Sequence, residues 1–278
     1  MFLLLMVDQF HTIATKILLI NHMKRMSDNS KLKYTERFRA TPHDCNRAGF
    51  LTIPSLLRSL QHCSLAHARS LKTSVWDLSA EEISWVLIRK ELKLIRPLKM
   101  DEEYTVITYP SGFEKFFAYR DYLVFDTNKK IVAGASSVWT MIDTTERKLV
   151  KIPDNIIKIG VPEGLKFLPH PDKKLGASLQ DPTVHNYKVG PYDVDWNNHV
   201  NNIVLCKEML IAIKNSGVED HEIAKILFHF KNEVHLSDLL SIKLDQREKN
   251  LVTTIFNIDD RLVSGARIYV RDSKEEEG

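Results

Sequence analysis

The order of predicted elements along this chain of 278 residues occurs twice. In the first copy a strand at 34–41 precedes a long apolar helix at 51–71, where Pro54 is tolerable only in the first turn. Period-two alternation and turn residues predict four strands after that helix, at 85–98, 103–109, 113–126 and 131–143. The second copy has a helix at 200–216 and five strands, at 185–192, 224–236, 240–246, 252–259 and 262–271.

The repeat is also visible in individual residues. Asp44-Cys-Asn46 precedes the first helix and Asp195-Trp-Asn197 precedes the second, so each helix is expected to begin with an Asp or Asn cap. One helix for each set of antiparallel strands predicts an α+β fold in which a curved sheet wraps a long helix. Two such units side by side would form a pseudo-dimer within one chain.

Composition narrows the functional classes. Hydrophobic residues make up 44% of the chain and charged residues 27%, so each half is expected to bury its own core. No apolar run is long enough for a transmembrane helix. The net charge of +3 is too mild for a nucleic-acid binder, but it is compatible with docking an acidic partner. A local basic cluster is a candidate for that docking rim or an ordinary strand edge: Arg89, Lys90, Arg96 and Lys99.

The three cysteines are Cys45, Cys63 and Cys206, far apart and without a CxxC pair. They support neither a disulfide framework nor a zinc ribbon, and a reducing cytoplasm is the simplest setting. Cys206 is expected to be a core thiol within the second helix.

Changes in pattern predict the boundaries of the units. The repeats are placed at 34–150 and 181–272, with a linker rich in Pro, Lys and Asp at 151–180. Residues 1–33 are predicted to be an extension outside the fold, and 273–278 an acidic tail. The alternative for the start of the chain is an amphipathic surface helix that uses Ile13, Ile17, Leu18 and Ile20.

The densest polar cluster runs from 193 to 202 and includes Asp195, Asn197 and His199. A capping role alone explains Asp195, but not the crowding of a histidine and four asparagines at one helix start. The unpaired N–H groups of that helix start could stabilise an oxyanion. Glu233 is predicted on a strand, with His229 and His235 on the same face. It is either a solvated residue of that face or a general base whose pKa is tuned by burial and a nearby histidine.

The same histidines and Glu233 could form a metal cluster with His199, but their spacing fits no standard metal signature. The sequence therefore predicts no metal site. No organic cofactor is expected either.

Five segments together resemble the acyl-acyl-carrier-protein (acyl-ACP) thioesterases of the plant and bacterial type, over residues 34–271. The central one is Asp195-x-Asn197-x-His199-Val-Asn-Asn at the start of a helix. The others are Tyr119-Arg-Asp-Tyr-Leu-Val, Ser137-Val-Trp139-Thr-Met-Ile-Asp, Arg147-Lys-Leu-Val-Lys-Ile-Pro153 and Phe230-Lys-Asn-Glu233. The resemblance implies a double hotdog fold and a thioester hydrolase that releases fatty acid from acyl carrier protein.

The resemblance also implies site residues. Asp195, Asn197, His199 and Glu233 match the catalytic residues of that family, without a metal or cofactor. Two positions depart from its pattern: Val234 stands where the family often has a cysteine, and Leu205 stands where it has a tyrosine. A cysteine nucleophile after Glu233 is therefore excluded.

The first copy lacks the titratable pair. If Asp44 and Asn46 align with Asp195 and Asn197, Ala48 stands where His199 is, and Arg96 or Pro97 stands where Glu233 is. The sequence therefore predicts one catalytic site, in the second repeat. The first repeat would shape an acyl pocket, with Leu56, Leu57 and Leu60 as lining candidates or, more simply, as core residues.

Three other functions remain compatible with the sequence: an acyl-CoA thioesterase, a dehydratase of the same fold and a non-catalytic acyl-binding protein. The expected partner is acyl carrier protein, and the expected location is the cytoplasm. Two fused repeats already satisfy the usual dimer contact, and the whole chain could still form a homodimer.

Overall fold

A computed structural model describes residues 30–162, 168–175, 182–248, 251–258 and 261–271. Its four α-helices in the described ranges are α1 Ile53–Ser70, α2 Val75–Leu78, α3 Asp154–Ile157 and α4 Asn202–Asn215. The strands of the first repeat are β1 Tyr34–Arg39, β2 Ile83–Leu94, β3 Glu103–Phe113, β4 Ala118–Asp126, β5 Ile131–Asp143 and β6 Leu149–Val150. Those of the second are β7 Thr183–Lys188, β8 Ile223–Phe230, β9 Leu239–Glu248, β10 Leu251–Ile258 and β11 Arg261–Val270.

The strands form a single antiparallel sheet across both repeats. Its order is β1-β3-β4-β5-β2-β8-β11-β10-β9-β7, and β6 pairs with β5. The two repeats meet where β2 pairs with β8, from Arg89 opposite His229 to Lys93 opposite Lys225. The α+β architecture and the side-by-side repeats predicted from the sequence are both confirmed.

The two long helices pack against the sheet and against each other. Thr52 caps α1 by accepting a hydrogen bond from the Ser55 N–H, and Pro54 lies in the first turn as predicted. Asn201 caps α4 by accepting from the Ile203 N–H. The expectation that Asp44 and Asp195 cap these helices is therefore wrong, because both lie in the loops that precede the caps.

The hydrophobic core is shared between the repeats. One cluster of buried side chains contains Leu60 and Leu92 from the first repeat together with Met209 and Ile226 from the second. The expectation that each half buries a core of its own is wrong, because the β2–β8 pairing and the contact of α1 with α4 merge the two interiors.

One predicted strand is too long. The strand expected at 224–236 ends at Phe230, so Glu233 does not lie on a strand face. His229, which was expected to share that face, is on the strand and is 5% exposed. The chain leaves the sheet because Lys231 and Asn232 both donate their N–H groups to the Val263 carbonyl, which breaks the ladder.

Several predictions about the ends and the linker fall wholly or partly outside the described residues. The extension at 1–33 is described only from Ser30, where a short 3₁₀ turn reaches Leu32, and the acidic tail at 273–278 lies outside the described ranges. Residues 163–167 and 176–180 of the linker, and residue 181 after it, also lie outside them. Among the described helices, none is long and apolar enough to cross a membrane.

Backbone hydrogen bonds fix how the two copies correspond. The Asn46 N–H donates to the Phe50 carbonyl at 2.8 Å, as the Asp195 N–H does to His199 at 2.9 Å. Asn46 therefore corresponds to Asp195 and Phe50 to His199. The alignment that paired Asp44 with Asp195 and Ala48 with His199 is wrong by two residues, because it matched residue types rather than the hydrogen bonds of the turn.

The segment after β2 corresponds in the same way to the segment after β8. The Leu51 N–H donates to Leu98 and the Val200 N–H donates to Val234, both at 2.8 Å. Pro97 thus occupies the position of Glu233, which is the second of the two alternatives from the sequence. With phenylalanine and proline at the corresponding positions, the first copy carries no acid–base pair.

Candidate active site

The loop before α4, residues 193–201 (the site loop), is a tight turn closed by an antiparallel bridge between Val194 and Val200. The Asp195 carboxylate accepts from the Asn197 N–H at 2.9 Å. Asn198 has a φ of 61°, a left-handed conformation that asparagine tolerates better than most residues. Asp195 therefore orders the loop rather than the helix, and it fixes the backbone from which Asn197 and His199 project.

His199 and Glu233 lie next to each other although they come from separate segments. His199 Nε2 is 3.4 Å from Glu233 Oε2. The hydrogen bond from Val200 to Val234 ties the site loop to the segment that carries Glu233. The structure thus brings the two residues into contact by main-chain pairing of their neighbours.

Asn197 completes the group. Its amide Nδ2 lies 3.4 Å from His199 Nδ1. An amide nitrogen only donates, so in this arrangement Nδ1 accepts and the ring proton is on Nε2, facing Glu233. All four residues proposed from the sequence, Asp195, Asn197, His199 and Glu233, line or border one cavity.

Arg147 contacts Glu233, although the sequence did not single it out. Its guanidinium forms an ion pair with Glu233 Oε2, the same oxygen that faces His199. The only signal in the sequence was its position at the start of one of the five resembling segments. Nothing there indicated that it would reach a residue of the other repeat.

The surroundings set the charge of Glu233. Partial burial by itself raises the pKa of the carboxyl group. The hydrogen bond from Arg147 and the electrostatic influence of His199, Arg147 and His235 outweigh that effect, so the pKa of Glu233 lies below its ordinary value. Glu233 is therefore ionised at neutral pH and able to accept a proton. Burial and a nearby histidine, the two influences expected from the sequence, act on this pKa in opposite directions, and Arg147 adds to the effect of the histidines.

The cavity has a volume of about 770 Å³ and both repeats contribute to its wall. Its apolar lining comes largely from the first repeat, with Leu65, Trp85, Leu87, Phe113 and Trp139, and Ile156 of the linker adds to it. Arg120 also lines it, with a guanidinium that donates to His67 and Thr108 and has no carboxylate partner in the described part of the chain. The cavity thus has a largely apolar wall, a polar group at the site loop and the half-buried guanidinium of Arg120.

The structure decides between the alternatives left open for the lining and for the basic rim. Leu56, Leu57 and Leu60 lie in the core, and the next turns of α1 line the cavity instead. The basic cluster does not form a rim, because Lys90 is buried over the Tyr122 ring and Arg96 pairs with Glu102 and Asp126. Lys231, Arg147 and Arg261 are the basic residues that line the cavity near Glu233.

Cys206 is a buried thiol on α4, as predicted. Burial raises its pKa to about 12, so it is protonated at neutral pH. Leu205, where the resembling family has a tyrosine, lines the cavity.

One group of side chains could hold a metal ion. The ligand atoms of His199, Glu233 and His235 lie within 4.8 Å of one another, and the two imidazole rings are edge to face at 4.9 Å. However, Arg147 occupies the Glu233 oxygen that faces His199. A metal ion there would have to displace or adjoin a guanidinium, which like-charge repulsion disfavours.

Comparison with known sequences identifies the family of this chain. The family profile described as acyl-ACP thioesterase N-terminal domain matches residues 31–159, and the profile of the C-terminal domain matches 176–271. An acyl-ACP hydrolase of Cuphea viscosissima is 25% identical over 205 residues, covering 68% of this chain and 49% of the relative. An oleoyl-acyl carrier protein thioesterase of Arabidopsis thaliana is 23% identical over 230 residues, covering 75% and 62%. The chain thus spans roughly half to three-fifths of the length of these relatives.

Solved structures show the same fold. An acyl-ACP thioesterase from Bacteroides thetaiotaomicron superimposes with a TM-score of 0.74 at 22% identity, covering 87% of this chain and 99% of the other. A 12:0-ACP thioesterase from Umbellularia californica superimposes with a TM-score of 0.75 at 20% identity, covering 86% and 97%. The double hotdog architecture expected from the sequence is confirmed.

Proposed function

Because the chain belongs to the acyl-ACP thioesterase family, we propose that it hydrolyses the thioester of fatty acyl-ACP to free fatty acid and acyl carrier protein. The observation that carries the proposal is the contact of an ionised Glu233 with His199 beside a cavity of about 770 Å³. A largely apolar cavity of this size accommodates an acyl chain, and a carboxylate at its polar end can act on a thioester.

In this proposal Glu233 takes a proton from a water molecule as that water attacks the thioester carbonyl. The carbon–sulfur bond then breaks, and the thiolate of the carrier leaves and takes up a proton. Asn197 and His199 position the water and the thioester, and Asp195 holds their loop. Direct attack by Glu233 is the alternative, and it would pass through an anhydride that water then hydrolyses.

The developing oxyanion needs a donor, and the start of α4 supplies a candidate. The Asn201 N–H donates to the Asp193 carbonyl, and the Ile203 N–H donates to the Asn201 side chain. The N–H of Asn202, a residue that lines the cavity, makes no hydrogen bond within the described ranges. We assign the oxyanion to this N–H, where the positive end of the helix dipole adds to it.

The division of labour follows the repeats. We place the catalytic unit at 181–272 and the acyl-chain unit at 34–150, joined by the linker at 151–180. The first repeat supplies most of the apolar wall but has no acid–base pair, so there is one site for each chain. The chemistry proposed requires no metal and no organic cofactor.

The proposed partner is the acidic acyl carrier protein. Lys231, Arg147 and Arg261 beside the cavity would attract it. The proposed setting is the cytoplasm, and the chain could act as a monomer or a homodimer.

The test is an assay with matched substrates. The purified protein is incubated with acyl-ACP and acyl-CoA of the same chain length, and the released fatty acid is measured by mass spectrometry. We expect faster release from acyl-ACP, and loss of that release in His199→Ala. Faster release from acyl-CoA would favour the alternative substrate. No release from either thioester would overturn the proposal in favour of an acyl-binding protein.

A further inference from the structure

Two exposed tryptophans stack beside the cavity. The rings of Trp76 and Trp196 are 5.1 Å apart and inclined by 29°. The guanidinium of Arg69 also lies over the ring of Trp76, 5.1 Å from the ring centre. Trp76 is 47% and Trp196 63% exposed, so neither ring is held by burial in the core. The stack is thus a contact between surface side chains, and it needs an explanation other than core packing.

Trp76 comes from a segment that only the first repeat has. Between α1 and β2 the chain runs from 71 to 82 and forms α2, whereas between α4 and β8 it runs from 216 to 222 without an α-helix. The longer segment is well anchored. The Ser74 N–H donates to the Asp77 carboxylate at 2.9 Å, and the Trp85 indole donates to the Thr73 carbonyl at 2.8 Å.

Trp196 belongs to the site loop. It lies between Asp195 and Asn197 and lines the cavity. Hydrogen bonds among its own residues close that loop, such as those from the Asn197 N–H to the Asp195 carboxylate and from the Asn198 N–H to the Asp195 carbonyl, and none of them involves the Trp196 side chain. A ring that is fixed from the side of the first repeat therefore restrains the loop at the residue between two site residues.

We propose that Trp76 is a positioning residue, which holds the site loop of the second repeat through its stack on Trp196. The role in catalysis rests on the proposed function, whereas the restraint on the loop does not. An aromatic pair contributes enough to shift a local equilibrium by about fivefold. The degenerate repeat would then support the catalytic loop as well as contribute to the acyl pocket.

The experiment uses the full chain and five variants, one of which is a control. Trp76→Leu removes the stack, and Trp76→Phe keeps an aromatic ring. Trp196→Leu and the double variant Trp76→Leu/Trp196→Leu complete a double-mutant cycle, which measures the coupling between the two rings. Tyr192→Leu is the matched control, because Tyr192 is 99% exposed on the same chain segment. Amide hydrogen exchange of residues 193–201 reports on the loop directly, and kcat and KM are measured on the same samples.

We expect Trp76→Leu to speed exchange in the site loop about fivefold and to lower kcat by a similar factor, with KM changed less than twofold. Trp76→Phe should restore both, and Trp76→Leu should add little to Trp196→Leu. Unchanged loop exchange in Trp76→Leu, or an equal increase in Tyr192→Leu, would overturn the proposal. If the wild-type protein hydrolyses no thioester, the proposed function fails, while the exchange data still decide whether Trp76 restrains the loop.

Discussion

The shared core makes a specific prediction about unfolding. Leu92 is fully buried on β2, where its backbone pairs with Ile226 of the second repeat and Ala135 of the first. Its side chain belongs to the cluster that both repeats build. Leu92→Ala should therefore destabilise the whole chain, not only the repeat that contains it.

The size of the effect follows from burial. Truncating a fully buried leucine costs about 3 kcal/mol, from the lost transfer free energy and the cavity left behind. In a protein of this size each kcal/mol lowers Tm by about 2–4 °C, so Leu92→Ala should lower Tm by about 6–12 °C. Leu149→Ala is the control, since Leu149 is exposed and its truncation should change the free energy of unfolding by less than about 0.5 kcal/mol.

Differential scanning calorimetry tests this directly. We expect a single unfolding transition in the wild-type protein and in both variants. Only Leu92→Ala should have a lower Tm. Far-UV circular dichroism should give the same midpoint as calorimetry. Two separate transitions, one of which stays at the wild-type temperature in Leu92→Ala, would refute the shared core.

Three further predictions concern charge and reactivity. Arg147→Gln removes the hydrogen bond that lowers the pKa of Glu233, so the acid limb of the pH profile of kcat/KM should move to higher pH. In the control Lys148→Gln, whose side chain pairs with Glu146, the acid limb should stay in place. An unmoved limb in Arg147→Gln would contradict the ion pair between Arg147 and Glu233. Burial raises the pKa of the Cys63 and Cys206 thiols to about 12, so iodoacetamide at neutral pH should leave hydrolysis intact, and rapid inactivation would contradict their burial. Burial, and then the charge of Arg89, lowers the pKa of His229 from 6.5 to about 4, so between these pH values the unfolded chain binds more protons than the folded chain. The free energy of unfolding should therefore fall as the pH drops from 6.5 towards 4. Chemical denaturation should show a smaller fall in His229→Gln, and an equal fall would exclude His229 as a cause.

The repeat was readable from the sequence because periodicity survives divergence. Helix α1 and the strands that follow it lie close to their predicted positions. The correspondence between the copies was not readable, since Asp-x-Asn occurs in both at different places in the turn. Only the main-chain bonds, from Asn46 to Phe50 and from Asp195 to His199, reveal which positions match.

The site shows the same limit. The grouping of Asp195, Asn197 and His199 is local, so a motif could indicate it. The approach of Arg147 to Glu233 depends on tertiary pairing between distant segments, which one sequence does not specify. Helix α2, only four residues long, left no periodic signal, and its contact with Trp196 was therefore invisible.

The most direct test of the account is the single-turnover rate of Glu233→Gln on acyl-ACP. The substitution keeps the shape of the side chain and removes the proton acceptor. Glu146→Gln is the matched control, because Glu146 is an exposed carboxylate next to Arg147 in the chain. We predict a fall of about 10²- to 10⁴-fold in Glu233→Gln and no change in Glu146→Gln. A Glu233→Gln variant that hydrolyses acyl-ACP at the wild-type rate would contradict the assignment of the reaction to the second repeat.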